Sequence, residues 1–220
     1  AACEQAQIRR FIVLSSSTVY GAHGDNPVLR EIDQCRPPRA FHYASDKLFM
    51  ENLFKQYEKD HPEILLTILR SSVVMGPGAQ NFITPALFKP FLIGIRGNDP
   101  ALQFLHEDDL AKILWKFIQT SHRGIFNVAA PGTVLWSELA RISHRHLTWL
   151  PHRIARWMVE ISWWLWLQRD SPSVGLDWIR FPWIVDTGKL NHVLNHKFQY
   201  TSTQALKSFL SPHNPHENHD

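Results

Sequence analysis

The sequence has little cysteine and glycine and no long apolar run. Its two cysteines, Cys3 and Cys35, match neither a metal-binding spacing nor a disulfide framework, so we expect reduced thiols and a cytoplasmic protein. No stretch reaches the about 20 uncharged apolar residues of a spanning helix, and the opening residues AACEQAQIRR lack the apolar core of a signal peptide. These absences predict a protein that contacts a membrane peripherally if at all.

Concentrated charge of one sign is absent too. The net charge is +3, and Lys and Arg are scattered among acids, which argues against nucleic acid as a partner. The 13 histidines show no HExxH spacing. His106, Asp108 and Asp109 come nearest to a ligand set, but acids here are better explained by the start of a helix near Leu110. We predict no metal site.

Short apolar segments alternate with amphipathic ones over much of the chain. Three segments have the β-favouring pattern of buried parallel strands: RFIVLSSS (10–17), EILLTILRSSVVMGPG (63–78) and GIFNVAAPG (124–132). Three others have helical spacing: residues 44–60, residues 110–120, and TVLWSELARISHRHL (133–147), with Thr133 or Ser137 as its cap. This alternation predicts an α/β fold with an open parallel sheet.

The composition changes after residue 135, since eight of the nine tryptophans lie between Trp136 and Trp183. We therefore expect a catalytic domain over 1–135, a smaller, mostly helical substrate lobe over 136–210, and a disordered polar tail over 211–220. In PHRIARWMVEISWWLWLQRD one helical face carries five apolar residues: Ile154, Trp157, Met158, Ile161 and Leu165. That helix could pack within the lobe, line an apolar substrate pocket or rest on a membrane surface.

The segment YASDK places Tyr43 and Lys47 one helical turn apart, downstream of the serine run LSSSTVYG. The unperturbed pKa of a tyrosine is about 10, so it works as an acid or base near neutral pH only if its anion is stabilised. A lysine one turn away supplies that stabilisation, and a serine hydroxyl can hold a substrate oxygen. On its own such a pair is common on amphipathic helix surfaces.

Five motifs in order, FIVLSSSTVYG, YASDK, LRSSVVMGPG, FLHEDDLAKIL and FNVAAPG, resemble the extended short-chain dehydrogenase/reductase superfamily, in its NAD-dependent epimerase/dehydratase group. The resemblance implies a Rossmann-like sheet, NAD or NADP as cofactor, and a homodimer formed through the Tyr43 helix. It implies catalysis by Ser16, Tyr43 and Lys47, with Ser15 and Ser17 as neighbouring alternatives to Ser16. It also implies a set of cofactor contacts: Ser15, Tyr43, Lys47, Ser71 and Ser72.

The Gly-rich turn that would hold the cofactor pyrophosphate is not in this sequence. The resemblance implies about a hundred further residues upstream that carry that turn, so we expect the carboxyl-terminal part of an enzyme, lacking the first strands of its sheet. Glycines 76 and 78 flank Pro77, which has no N–H to donate, and we interpret them as an ordinary turn. The alternative is a truncated, non-catalytic α/β binding module that cannot hold a dinucleotide.

The substrate is left open by two departures from the nucleotide-sugar members of the group. Val73 stands where they often have an asparagine, and Leu102 and Gln103 stand where they often have an arginine. The predicted reaction is oxidoreduction, epimerisation or dehydration at a hydroxyl or carbonyl of a small molecule. That molecule is a sugar nucleotide or a lipid-like alcohol.

Overall fold

The computed structural model of the chain describes residues 5–81, 83–164 and 173–211. The predicted α/β class is confirmed, because most strands pair in parallel and helices lie between them. The central sheet has the order β1-β2-β7, all parallel. Its strands are β1 (Arg10–Ser16), β2 (Leu65–Ser71) and β7 (Gly124–Val128).

Three two-stranded sheets accompany the central one. Two of them are parallel, β3 with β6 and β4 with β9, and the pair β5 with β8 is antiparallel. Their bounds are β3 Val73–Met75, β4 Phe91–Ile95, β5 Ala101–Leu102, β6 Phe104–His106, β8 Val134–Leu135 and β9 His146–Leu150.

The α-helices of the described residues are α1 His42–Asp60, α2 Thr84–Leu87, α3 Glu107–Gln119, α4 Trp136–Ile142, α5 His152–Trp164, α6 Gly188–Leu194 and α7 Ser202–Leu210. Two 3₁₀ helices, Ser17–Tyr20 and Ser173–Ile179, complete the set. No helix in the described part of the chain is long and apolar enough to cross a membrane.

Successive side chains of the central strands point to opposite faces of the sheet. One face packs against α1, where Met50 and Phe54 contact a cluster that includes Val13 and Ile68. The other face packs against α3, since one side of that helix is buried with Leu69 and strand β7. Burial on both faces explains why every residue of β2 after Leu65 is buried.

The predicted helix over residues 110–120 starts earlier than expected, at Glu107. His106 caps it by accepting the N–H of Asp108 through its side chain. Three acids occupy the first turn, as predicted for the positive end of a helix dipole. One of them, the fully buried Asp109, accepts the backbone N–H groups of Gln199 and Tyr200.

The predicted helix over residues 133–147 is wrong in its cap and in its length. Neither Thr133 nor Ser137 caps α4; instead Asp99 accepts the Ser137 N–H at 2.8 Å and its hydroxyl at 2.6 Å. The helix ends at Ile142, because His144 adopts a left-handed φ of 53°. The residues that follow become strand β9, which pairs with β4.

The largest buried apolar cluster crosses the predicted domain boundary at residue 135. It contains Val19 and Phe104 from one side and Trp136 and Phe209 from the other. The division into 1–135 and 136–210 stays a prediction. Leu165 and residues 212–220 of the predicted tail lie outside the described residues.

Candidate active site

The predicted site lies where the carboxyl ends of β1 and β2 meet the start of α1. Ser16 pairs in register with Ser71 at the last position of the two strands. Loops at this edge of a parallel sheet are where ligands bind in open α/β folds. Tyr43 is in the first turn of α1, and Lys47 follows one turn later.

Ser16 is held in place by Thr18 and lies beside Tyr43. The buried Ser16 side chain caps the 3₁₀ helix that follows β1, accepting the N–H of Thr18 at 3.2 Å and its hydroxyl at 2.9 Å. These bonds use its lone pairs and leave its own proton for another acceptor. Its hydroxyl also lies close enough to the Tyr43 phenol to act on it, working to lower the pKa of Tyr43.

Lys47 lies beside Tyr43, but its ammonium contacts the strand. Nζ donates to the Leu14 carbonyl oxygen at 2.9 Å and sits 5.8 Å from the centre of the Tyr43 ring. Burial raises the pKa of Tyr43, and the nearby Ser16 hydroxyl works in the opposite direction without cancelling it. The phenol is therefore protonated near neutral pH in this arrangement.

Two serine hydroxyls at the same edge are buried without a hydrogen-bond partner among the described residues. They belong to Ser17, which follows β1, and to Ser72, which follows β2. An unsatisfied buried hydroxyl costs about 1–3 kcal/mol, so both are suited to accept or donate a bond to a ligand. Ser71 is engaged more weakly, donating to the Ser15 carbonyl oxygen at 3.4 Å.

Ser15 points away from this edge, into a buried polar network that the sequence did not reveal. Its hydroxyl donates to Glu51 Oε1 at 2.7 Å. The same carboxylate accepts Arg70 Nε at 2.9 Å and Nη2 at 2.7 Å, and both charged side chains are almost fully buried. Arg70 therefore has a structural role, because its guanidinium is paired with Glu51 inside the protein.

The network continues to the third strand of the central sheet. Arg70 Nη1 donates to the Tyr20 hydroxyl at 2.9 Å, which in turn donates to Asn127 Oδ1 at 2.8 Å. Burial raises the pKa of Tyr20 to about 12, although the Arg70 charge opposes that rise. Burial also acts to lower the pKa of Arg70, and Glu51 outweighs it, so that pKa is raised. The network fixes α1, which carries Tyr43, against all three strands.

The turn around Pro77 is already occupied by a carboxylate. The Gly78 N–H donates to Glu107 Oε1 at 3.1 Å. Gly76 has a positive φ of 154°, which residues with a Cβ rarely adopt, and a Cβ added there would lie 2.5 Å from the Glu107 carboxyl carbon. The prediction of an ordinary turn is confirmed, because its donor serves the protein itself.

Sequence comparison adds to this geometry. The sequence model of the NAD dependent epimerase/dehydratase family matches residues 1–129, more than half of the chain. The chain belongs to that family. Its Tyr43, Lys47 and serine run all lie within the matched region, and the predicted superfamily is confirmed.

The names of the similar curated proteins state no function. One from Mycobacterium tuberculosis is 27% identical over 217 residues, which are 96% of this chain and 56% of that protein. One from Sinorhizobium fredii is 30% identical over 147 residues, 63% of this chain and 35% of that protein. The chain thus spans little more than half of the mycobacterial relative.

Solved structures share the fold at low sequence identity. MoeE5 in complex with UDP-glucuronic acid and NAD has a TM-score of 0.70 at 22% identity, covering 96% of this chain and 66% of MoeE5. The dTDP-glucose 4,6-dehydratase of Bacillus anthracis, in complex with NAD, has a TM-score of 0.69 at 13% identity, covering 98% and 65%. These likenesses support the predicted Rossmann-like architecture.

Proposed function

We propose that this chain forms part of an NAD(P)-dependent enzyme that oxidises, epimerises or dehydrates a small molecule at a hydroxyl or carbonyl carbon. The observation that carries the proposal is the placement of Ser16, at the carboxyl end of β1, beside Tyr43 in the first turn of α1, with Lys47 one turn along that helix. Family membership supports the reaction class. The similar structures bound to NAD support the choice of cofactor.

The residues of the site fit the nicotinamide and ribose end of such a cofactor. The Lys47 ammonium and the Tyr43 hydroxyl would hold ribose hydroxyls, and the unpartnered hydroxyls of Ser17 and Ser72 would satisfy amide or substrate atoms. Ser71 belongs to the same edge, while Ser15 would contribute through its backbone, because Glu51 occupies its hydroxyl. When bound, the cofactor supplies hydride acceptance and donation.

Proton transfer falls to the chain's own residues. Ser16 would donate a hydrogen bond to the substrate oxygen and hold that oxygen beside the Tyr43 hydroxyl, which gives or takes the substrate proton. For Tyr43 to act as a base, its pKa must fall from the raised value that burial imposes. Lys47 can lower this pKa if its ammonium leaves the Leu14 carbonyl oxygen and moves next to the phenol, because an adjacent cation favours the phenolate.

The substrate is a sugar nucleotide or a less polar alcohol, and different observations favour each. The similar structures contain UDP-glucuronic acid or are named as acting on dTDP-glucose, which supports the first. Val73 and Leu102, at the positions that depart from the nucleotide-sugar pattern, are buried in the apolar core. Gln103 bonds the backbone of Val185 through its amide nitrogen and oxygen. None of these three side chains is available to bind a nucleotide diphosphate, which supports the less polar alcohol as substrate.

The direct test expresses the complete coding sequence and incubates the protein with NAD or NADP. The substrates are UDP-glucose, UDP-glucuronic acid and dTDP-glucose in one series and a sterol with a secondary hydroxyl in another. Nuclear magnetic resonance of the products distinguishes epimerisation, dehydration and oxidation. Turnover in either series supports the proposal and selects the substrate class, and the absence of turnover and of NAD binding contradicts it.

The second candidate is a non-catalytic α/β binding module. One observation favours it, namely that Lys47 is held by a strand carbonyl while burial keeps the pKa of Tyr43 high. Calorimetric titration with NAD separates the two proposals. A complete protein that leaves NAD unbound would support the module.

A further inference from the structure

Helix α5 has two apolar sides, and the protein core covers one of them. Ala155 is fully buried and Val159 is half-buried, and both belong to a cluster with Ile95 and Leu176. This side anchors α5 on strand β4 and on the 3₁₀ helix Ser173–Ile179. The helix is therefore fixed to the protein through these two residues, which lie one helical turn apart.

The other apolar side of α5 faces solvent. Five large side chains there are 36–78% exposed: Ile154, Trp157, Met158, Ile161 and Trp164. At about 100° per residue they share one arc of about 120°, next to the arc that packs on the core. Trp157 at 65% and Trp164 at 78% are the most exposed of the five. A contiguous apolar surface of this kind marks a binding face.

The sequence that leads into this face and through most of α5 is basic. The sequence has no acid between Glu138 and Glu160, while Arg141, Arg145, Arg153 and Arg156 lie in that interval. Arg153 and Arg156 are exposed on α5 itself. Glu160 is the acid nearest the face in sequence, and Arg156 pairs with it at 2.9 Å.

A further arginine comes from the neighbouring strand. Arg96 is exposed just after β4 and bonds the carbonyl oxygens of Trp149 and Leu150, immediately before α5. The amino-terminal end of α5 is thus bordered by guanidinium groups from two elements. Such groups match the phosphates of a lipid surface, and the apolar arc matches its acyl boundary.

We propose that α5 binds the surface of an anionic phospholipid bilayer. It lies in the plane of the interface, with Trp157 and Trp164 at the level of the headgroups, where tryptophan side chains concentrate in membrane proteins. Arg153 and Arg156 contact lipid phosphates from the flank of the arc. The buried side of the helix stays on the protein core. This role is independent of the proposed enzymatic function.

The test is flotation of the chain with vesicles of phosphatidylcholine alone or of phosphatidylcholine with phosphatidylglycerol. We expect binding to the anionic vesicles, weakened by high salt because the charges are screened. The double variant Trp157→Ser/Trp164→Ser should bind about tenfold more weakly or worse, since affinity scales with the inserted apolar area. The control is Trp115→Ser on α3, which removes a tryptophan that is 60% exposed elsewhere and should leave binding unchanged.

Three outcomes would overturn the proposal: no flotation of the wild-type chain with anionic vesicles, equal flotation of the double variant and wild type, or equal binding to both vesicle types. Light scattering tests the rival occupant, a second copy of the chain. A wild-type dimer that becomes monomeric in the double variant, without vesicle binding, would assign the face to self-association. Circular dichroism establishes that each variant is folded, as expected for exposed positions.

Discussion

Replacing Glu51 with leucine should destabilise the protein more than any change at an exposed ion pair. The Glu51 carboxylate is fully buried and accepts four hydrogen bonds: Arg70 Nε at 2.9 Å, Arg70 Nη2 at 2.7 Å, Ser15 Oγ at 2.7 Å and Lys55 Nζ at 3.2 Å. Glu51→Leu leaves the Arg70 charge buried and unpaired. Removing one partner of a buried pair costs about 3–5 kcal/mol, a large part of a domain's usual stability of about 5–15 kcal/mol.

The assay is urea unfolding at neutral pH, followed by circular dichroism. The double variant Glu51→Leu/Arg70→Met should recover part of the loss, with a coupling of about 1–3 kcal/mol, because no unpaired charge remains. Glu160→Gln is the control, since its pair with Arg156 is exposed and worth about 1 kcal/mol or less. A loss below about 1 kcal/mol for Glu51→Leu would refute the reasoning that this pair anchors α1.

The same carboxylate predicts a pH dependence with a definite sign. Burial acts to raise the pKa of Glu51, and its bonds to Arg70 outweigh that effect, so the pKa lies below the ordinary 4.5. A carboxyl with a lowered folded-state pKa stabilises the protein above its unfolded-state pKa, and that stability is lost as the pH falls through the lowered value. The free energy of unfolding should decline below about pH 4.5 in wild type, and less steeply in Glu51→Leu.

Three further predictions concern stability and use the same unfolding assay. Gly21→Ala should cost about 1–3 kcal/mol, because Gly21 has a φ of 76° and an added Cβ would meet the Arg36 carbonyl oxygen; an unchanged midpoint would contradict this. Tyr20→Phe should cost about 1–3 kcal/mol by leaving Arg70 and Asn127 each short of a partner; a loss no larger than that of Tyr57→Phe would count against the network. Asp99→Ala should lower the free energy of unfolding by about 1 kcal/mol, because it removes the acceptor at the start of α4. Thr133→Ala should lower it little; a larger loss for Thr133→Ala than for Asp99→Ala would indicate that Thr133 caps α4.

Local patterns predicted the elements that carry the site. The apolar run of β1 and the amphipathic spacing of α1 are properties of short segments, and the structure has both close to the predicted bounds. The cap of α4 was wrong because its acceptor, Asp99, lies 38 positions from Ser137 in the chain. Strand β9 was missed because its pairing with β4 depends on residues some 55 positions away, and pairing between distant segments overrides local helical spacing.

The site was predictable in part for the same reason. The i, i+4 spacing of Tyr43 and Lys47 is visible in the sequence, and the sheet then places Ser16 next to the phenol. The direction of the Ser15 side chain was not predictable, since the register of β1 on β2 turns it toward Glu51. The role of Glu51 was not predictable either, because in the sequence it resembles the other charged residues of an exposed helix face. Only the fold brings it next to the buried Arg70 on β2.

The most direct test of the central claim is single-turnover hydride transfer in the complete protein, measured for Tyr43→Phe against wild type. The absorbance of the reduced nicotinamide reports the transfer, and calorimetry reports NAD affinity. The account predicts a loss of about 10²–10⁴ in rate with NAD binding retained, while the control Tyr57→Phe, on the same helix, keeps the wild-type rate. Hydride transfer by Tyr43→Phe at the wild-type rate would contradict the claim that Tyr43 is the acid and base of this site.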